Sequence, residues 1–329
     1  MVTRRIALSK VLSYPNLLAL FILGLLYHFY ALDAASTFGF IVPSLRHGGD
    51  SKVPRTGNIP KLLWYKLGPR GLSEELRNHT DTCIKPNPEY RATFMTDESS
   101  DAWVRETFSA SRPDLVEAYL SLPVPIFKAD ILRYLLLWDK GGIWSDLDVS
   151  CKETPIDDWI PAEYKDKAQL VVGWEFDHGL PGNYIRQFTS WTIMSAPRSP
   201  YLALIIDDIL ADIGKLKAEH NITTQELTLK IAGDVVDFTG PRRLTRGIFT
   251  GLSNMLNRTV GPDDVKELVV PVLLGDVLIM PSISFALSMN VFKPEEKLSP
   301  ELVTHHYAGS WKNDKGGEEK RRRRRRVLL

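Results

Sequence analysis

The stretch ILRYLLLWDKGGIWSDLDVSCKE, residues 131–153, decides how this chain is read. An almost wholly apolar run is stopped by two glycines, and Asp146 and Asp148 then flank a single leucine. Carboxylates at that spacing repel each other, and burying either without a partner is strongly unfavourable. A positive charge is therefore expected beside them, or the pair stands in water. The apolar run predicts a helix opening at Pro125, since proline suits a first helical turn, and ending at Gly141 and Gly142. Within it Asp130 and Arg133 are three apart and share a face, while apolar residues cover nearly all the rest. A helix that apolar is buried on most sides, so its charged stripe forms an internal salt bridge or lines a site. The strand IWSDLDV follows at once, and its period of two points both aspartates to one side at the strand end or in the loop leaving it. Oxygen ligands of that kind suit a divalent cation such as Mn or Mg; on the three-residue pattern alone, a solvated pair at a strand edge competes.

Working outward, KLLWYKL, YRATFMTD, LVVGWE, TSWTIMSA, ELVVPVL and DVLIMP have the length and composition of strands. Helices are predicted from about residue 73 to 83, over WVRETF and DLVEAYLSL, from Pro200 to about Glu219, and from Pro241 to about Asn257. This alternation predicts an α/β fold with a largely parallel sheet. No internal repeat is visible.

The 329 residues, 44% apolar and 25% charged, suffice for one large core. The net charge of +1 conceals an arginine run from Arg321 to Arg326; the remainder is slightly acidic, so no broad nucleic-acid surface is expected. LLALFILGLLYHFYAL, residues 17–32, carries no charge. With residues 11–16 it reaches the about 20 residues that span a bilayer. Arg4, Arg5 and Lys10 precede it, so the expectation is a cytosolic tail (1–10), a signal anchor (11–32) and a translocated remainder, in competition with a cleaved signal peptide. A stem over 33–58, a folded domain over 59–312 and a disordered basic tail over 313–329 complete the expected organisation. Three glycosylation sequons, at Asn78, Asn221 and Asn257, agree with translocation. Cys83 and Cys151, the only cysteines, either pair in an oxidising lumen or remain two buried thiols.

The segment KADILRYLLLWDKGGIWSDLDV, residues 128–149, resembles the signature of the DXD sugar transferases: the fungal Golgi initiation-specific alpha-1,6-mannosyltransferases, the inositol-phosphoceramide mannosyltransferases and the glucosylating bacterial toxins. Weaker likeness runs from IPKLLWYK at Ile59 through DFTGPRRLT at Asp237 to HHYAGSWK at His305, and the last of these favours the initiating mannosyltransferases. The resemblance implies a GT-A type, Rossmann-like nucleotide-sugar-binding fold and transfer with retention. It implies Mn2+, or Mg2+, as cofactor. By the same resemblance Asp130 and Arg133 bind the donor sugar and its phosphate, Asp146 contacts ribose or sugar, and Asp148 ligates the metal. His306 or Ser310 completes the metal site, Trp311 covers the diphosphate, and the His305-His306 doublet leaves the choice of ligand open. Trp64 stacks on the base or is core.

The implied donor is GDP-mannose, with a UDP-hexose as the alternative, and the acceptor is a glycan or a glycolipid. The implied setting is the Golgi membrane as a single-pass type II protein, with membership of a transferase complex as a further expectation. In the loop GWEFDHGLPGN, residues 173–183, Glu175 and Asp177 are candidates for binding a hydroxyl or acting as a base. Thr239 to Pro241 open a helix, where plain capping competes with anion binding. Two rival classes remain. DLDVS also resembles the start of haloacid-dehalogenase phosphatases, but a glycine turn and a helix precede it too closely. A transferase fold kept as a non-catalytic subunit is the other.

Overall fold

A computed structural model describes residues 55–179, 184–293 and 298–318. The expected signal anchor at 11–32, its cytosolic tail, nearly all of the stem and the arginine run lie outside these residues. No described helix is long and apolar enough to cross a membrane.

Eleven strands are described: β1 (Arg55–Thr56), β2 (Ile59–Pro60), β3 (Leu62–Lys66), β4 (Arg91–Met95), β5 (Gly142–Ser145), β6 (Val149–Cys151), β7 (Leu170–Gly173), β8 (Thr192–Ser195), β9 (Val272–Leu274), β10 (Val277–Met280) and β11 (Val303–His305). Seven of them form one sheet in the order β4-β3-β5-β8-β7-β10-β9. The fold is mixed α/β around this central sheet. β3 runs parallel to β4 and β5, and β7 parallel to β10, but β8 is antiparallel to both its neighbours and β9 to β10. The expectation of a largely parallel sheet is thus corrected to a mixed one. A parallel return requires a crossover connection, usually a helix, and none is described between β7 and β8, so the chain comes back antiparallel.

Alternation along the strands sorts two cores. Leu62, Trp64, Leu170, Val172, Ile193, Val277 and Ile279 face one way, while Leu63, Tyr65, Ile143, Val171, Met194, Leu278 and Met280 face the other. The principal helices are α1 (Glu74–Ile84), α2 (Asp97–Phe108), α3 (Pro113–Ser121), α4 (Pro125–Lys140), α5 (Pro200–His220) and α6 (Pro241–Leu256). Helix α4 is sunk in the first core, and every residue from Asp130 to Leu137 is buried. It starts at a proline, as its sequence dictates, and ends where Gly141 and Gly142 take φ of 67° and 98°. A side chain at Gly142 would come within 2.6 Å of the Leu62 carbonyl, so this turn needs glycine for both conformation and space.

Two features carry the chain back toward the end of β5. The Cys83–Cys151 disulfide ties α1 to β6, which answers the open question of their pairing. β11 pairs antiparallel with β6, setting His305 opposite Val149. The folded unit also extends beyond its expected end. Gly316 accepts a hydrogen bond from the Ile126 N–H at 2.8 Å, Gly316 and Gly317 are buried, and Glu318 pairs with Arg70. Gly316 and Gly317 therefore pack on the start of α4, within the stretch where the sequence alone suggested disorder.

Candidate active site

Asp146, Leu147 and Asp148 occupy the turn between β5 and β6, closed by a 3.2 Å hydrogen bond from Val149 N–H to the Asp146 carbonyl. The two carboxylates converge through this turn and not by alternation along one continuous strand. β5 and β7 both run antiparallel to β8, so their carboxyl ends share an edge of the sheet, the position where open α/β sheets present ligand sites.

The positive charge that the sequence demands comes first from α4. Arg133 donates to Asp130 Oδ1 at 2.6 Å and to Asp146 Oδ1 at 3.2 Å, and its guanidinium lies 5.1 Å from the centre of the Trp144 ring. Trp144 Nε1 donates to the same Asp146 oxygen at 2.6 Å. Thr239 Oγ1 donates to Asp130 Oδ2 at 2.8 Å, so this threonine orients an acid and does not cap α6. Burial pushes the Asp130 carboxyl up, against the pull of Arg133 and Thr239. Burial also opposes the Arg133 charge, but the Asp146 and Asp130 carboxylates outweigh it and raise its pKa. Arg133 is thus a cation locked between two acids, with Nε buried and without a hydrogen-bond partner among the described residues. In this arrangement it positions Asp146.

Asp148 finds a different partner. His305 Nε2 lies 3.3 Å from its Oδ2, and the Ala308 N–H donates to that same oxygen at 2.8 Å. Burial works to raise the Asp148 pKa, but His305 and the backbone donor hold it below the usual carboxylate range. His305 stacks on Trp191 with ring centres 4.1 Å apart. Ligand atoms of Asp146, Asp148 and His305 all lie within 4.8 Å of one another. Two carboxylate oxygens and one imidazole nitrogen match the preferences of a borderline divalent ion such as Mn.

The expected ligands His306 and Ser310 are not part of this group. His306 stacks on His79 at 3.9 Å and its Nε2 is 2.9 Å from Ser150 Oγ, while Ser310 is exposed. Neighbouring residues of an extended chain face opposite ways, so only one ring of the doublet reaches the Asp148 carboxylate, while the His306 N–H donates to the Asp148 carbonyl at 2.8 Å. On β11, His305 takes the side of the buried Val303, two residues before it. Trp64 is corrected to a core residue, buried in the first cluster with its N–H on the Gly141 carbonyl at 2.9 Å. Trp311 is half-buried against that same cluster. Trp144 and Trp191 are site residues that sequence reasoning does not assign, because no local pattern distinguishes them from packing residues; Thr239, which the sequence places only at a helix start, binds Asp130 instead.

The family described as "Glycosyltransferase sugar-binding region containing DXD motif" matches residues 73–166. The initiation-specific alpha-1,6-mannosyltransferase of Schizosaccharomyces pombe is 34% identical over 275 residues, covering 80% of this chain and 66% of that protein. The protein of the same name from Candida albicans is 30% identical over 284 residues, covering 78% of this chain and 73% of its own length. This chain belongs to the DXD sugar-transferase family.

It is a glycosyltransferase. Among solved structures, the PaToxG glycosyltransferase overlaps 60% of this DXD transferase and 73% of that chain at 17% identity, with a TM-score of 0.38. The catalytic domain of Clostridium novyi alpha-toxin overlaps 57% and 72% at 11% identity, with a TM-score of 0.36. Those scores are too low to carry residue roles across. The family match itself spans the disulfide, α4 and the Asp146–Asp148 turn, the segment that builds the acidic cluster.

Proposed function

We propose that this DXD transferase moves mannose from GDP-mannose to a glycan acceptor, with retention at the anomeric carbon and with Mn2+ as cofactor. The observation that carries the reading is the convergence of Asp146, Asp148 and His305 at the carboxyl edge of the sheet. Asp148 and His305 would hold the ion, and Asp146, braced by Arg133 and Trp144, would complete its ligands or face the nucleotide sugar. An ion held by these residues would supply positive charge to offset that developing on a departing nucleoside diphosphate. The protein's own part is to hold its ligands rigid: every carboxylate of the cluster is tied to a charged or N–H donor before a ligand arrives.

Mannose as the sugar rests on the relatives named alpha-1,6-mannosyltransferases. A glycolipid acceptor is the second reading, favoured by 34% identity over 96 residues to an inositol phosphoceramide mannosyltransferase of Schizosaccharomyces pombe, a match covering only 29% of this chain. The proposed setting is the Golgi lumen, with residues 11–32 as a type II anchor. In support, Cys83 and Cys151 are paired and two of the three sequon asparagines, Asn221 and Asn257, sit exposed at helix ends. The test is transfer from GDP-mannose, set against UDP-hexoses, to a mannoside and to a glycolipid, with Mn and with chelator. Loss of turnover in chelator and in Asp148→Asn is expected; equal turnover in both would refute the mechanism.

A further inference from the structure

The loop leaving β7 carries two buried acids with opposite fates. Asp177 is fully committed to the fold: Arg186 Nε donates to its Oδ1 at 3.0 Å, as does the Glu267 N–H at 2.8 Å, while the Leu268 N–H reaches Oδ2 at 3.1 Å. Glu175 is also buried, 7% exposed, yet its side chain meets one neutral donor, Gln187 Nε2, at 2.7 Å from Oε2. No donor among the described residues is recorded on its other oxygen, and that oxygen is not among the sealed, partnerless atoms of the interior. A buried carboxyl left this poorly satisfied is costly to stability, and such a group persists where a ligand completes its hydrogen bonding.

Its place in the fold says which ligand. Glu175 follows the carboxyl end of β7, on the sheet edge that also bears Asp146 and Asp148. In the sheet only β8 separates β7 from β5, so Glu175 and the Asp146–Asp148 turn stand along one border, two strands apart. The rings of Trp191, His305 and Tyr307 contact one another along that border, with centres 4.1 to 5.5 Å apart. Its backbone is held by Gln187 on one side and Asn290 on the other, which aims the side chain.

Resting on the glycosyl-transfer reading, we propose that Glu175 binds a hexose hydroxyl in this site, taking the hydrogen bonds that the protein leaves unmade. The ligand chemistry is a sugar hydroxyl beside the metal-held diphosphate, whether on the donor hexose or on the terminal hexose of the acceptor. Gln187 is its positioning residue.

The test compares Glu175→Ala and Glu175→Gln with the parent full-length protein in Mn. Binding of GDP is set against GDP-mannose, and UDP against UDP-glucose, and steady-state KM is measured for the donor and for a mannoside acceptor. Unchanged affinity for the bare nucleotide is expected in both variants. Loss of about tenfold, either in affinity for the sugar nucleotide or in acceptor KM, is expected in Glu175→Ala, with a smaller loss in Glu175→Gln. A donor-side loss assigns the hydroxyl to the transferred sugar, and an acceptor-side loss to the acceptor. Values within twofold of the parent throughout would overturn the proposal, as would parallel loss of bare-nucleotide binding, which a merely structural role produces. If the parent protein binds no nucleotide and Asp148→Asn changes nothing, the glycosyl-transfer reading itself falls, and this inference with it.

Discussion

At the scale of single residues, the cluster is a chain of charges in which removing the cation is worse than removing an acid. Arg133→Ala leaves Asp130 and Asp146 facing each other with Asp130 wholly buried. Breaking such a pair costs about 3–5 kcal/mol. Asp130→Asn keeps an acceptor for Arg133 and removes a charge that burial already opposes, so its loss in chemical denaturation is expected to be the smaller. Arg133→Lys should not rescue, because a point charge cannot bridge two carboxylates as a fork does. Glu175 provides a second residue-scale prediction. Burial pushes its carboxyl up to about 7. Its folded-state pKa lies above the unfolded one, so the native state keeps a proton that the unfolded chain has released. Stability is therefore lost as pH rises through that window. Glu175→Gln should flatten the decline, giving a thermal midpoint closer to that of the parent at about pH 5 and above it at about pH 8.

At the scale of elements, two contacts hold the frame, and the first of them places the site. The disulfide closes a loop across 68 residues and pins β6, hence the Asp146–Asp148 turn, to α1. In the chain-entropy model a loop of that size contributes about 4 kcal/mol, so a Cys83→Ser, Cys151→Ser double variant is expected to unfold at correspondingly lower denaturant. The second contact is the crossing of α5 and α6. A Cβ at Gly247 would lie 2.2 Å from Ile205, so the two helices approach there only because a side chain is missing. Gly247→Leu is expected to cost about 1–3 kcal/mol or more by overpacking, read by urea denaturation. Most elements were legible in advance because proline, glycine and hydrophobic period punctuate them; α5, expected from Pro200 to about Glu219, runs Pro200–His220. The antiparallel direction of β8 was not legible, since a strand's sequence reports burial and not the direction of its neighbour.

At the scale of the whole molecule, the metal cluster joins segments about 160 residues apart, so ion binding must report on global stability. A ligand that binds only the folded state raises its thermal midpoint, by about 2.7 kcal/mol of added stability at a hundredfold excess over Kd. Mn is expected to raise the midpoint of the parent protein, but not of Asp148→Asn or His305→Ala. His306→Ala should retain the shift, because that ring faces His79 and Ser150.

What the sequence by itself determined is what lies within one contiguous stretch. Asp130 and Arg133 on one face of α4, the glycine turn, and the two aspartates after β5 are all set by short-range geometry, which helix and strand periods dictate without knowledge of the rest. Only the tertiary structure decided that the ring of His305 and not that of His306 meets the Asp148 carboxylate, because the register of β11 on β6 selects the facing side chain. It likewise decided that Trp64 is core, and that of two acids in one loop Asp177 is satisfied by backbone while Glu175 is not. These outcomes depend on partners that are remote in sequence, and no local periodicity can encode the position of a group that folding alone brings near.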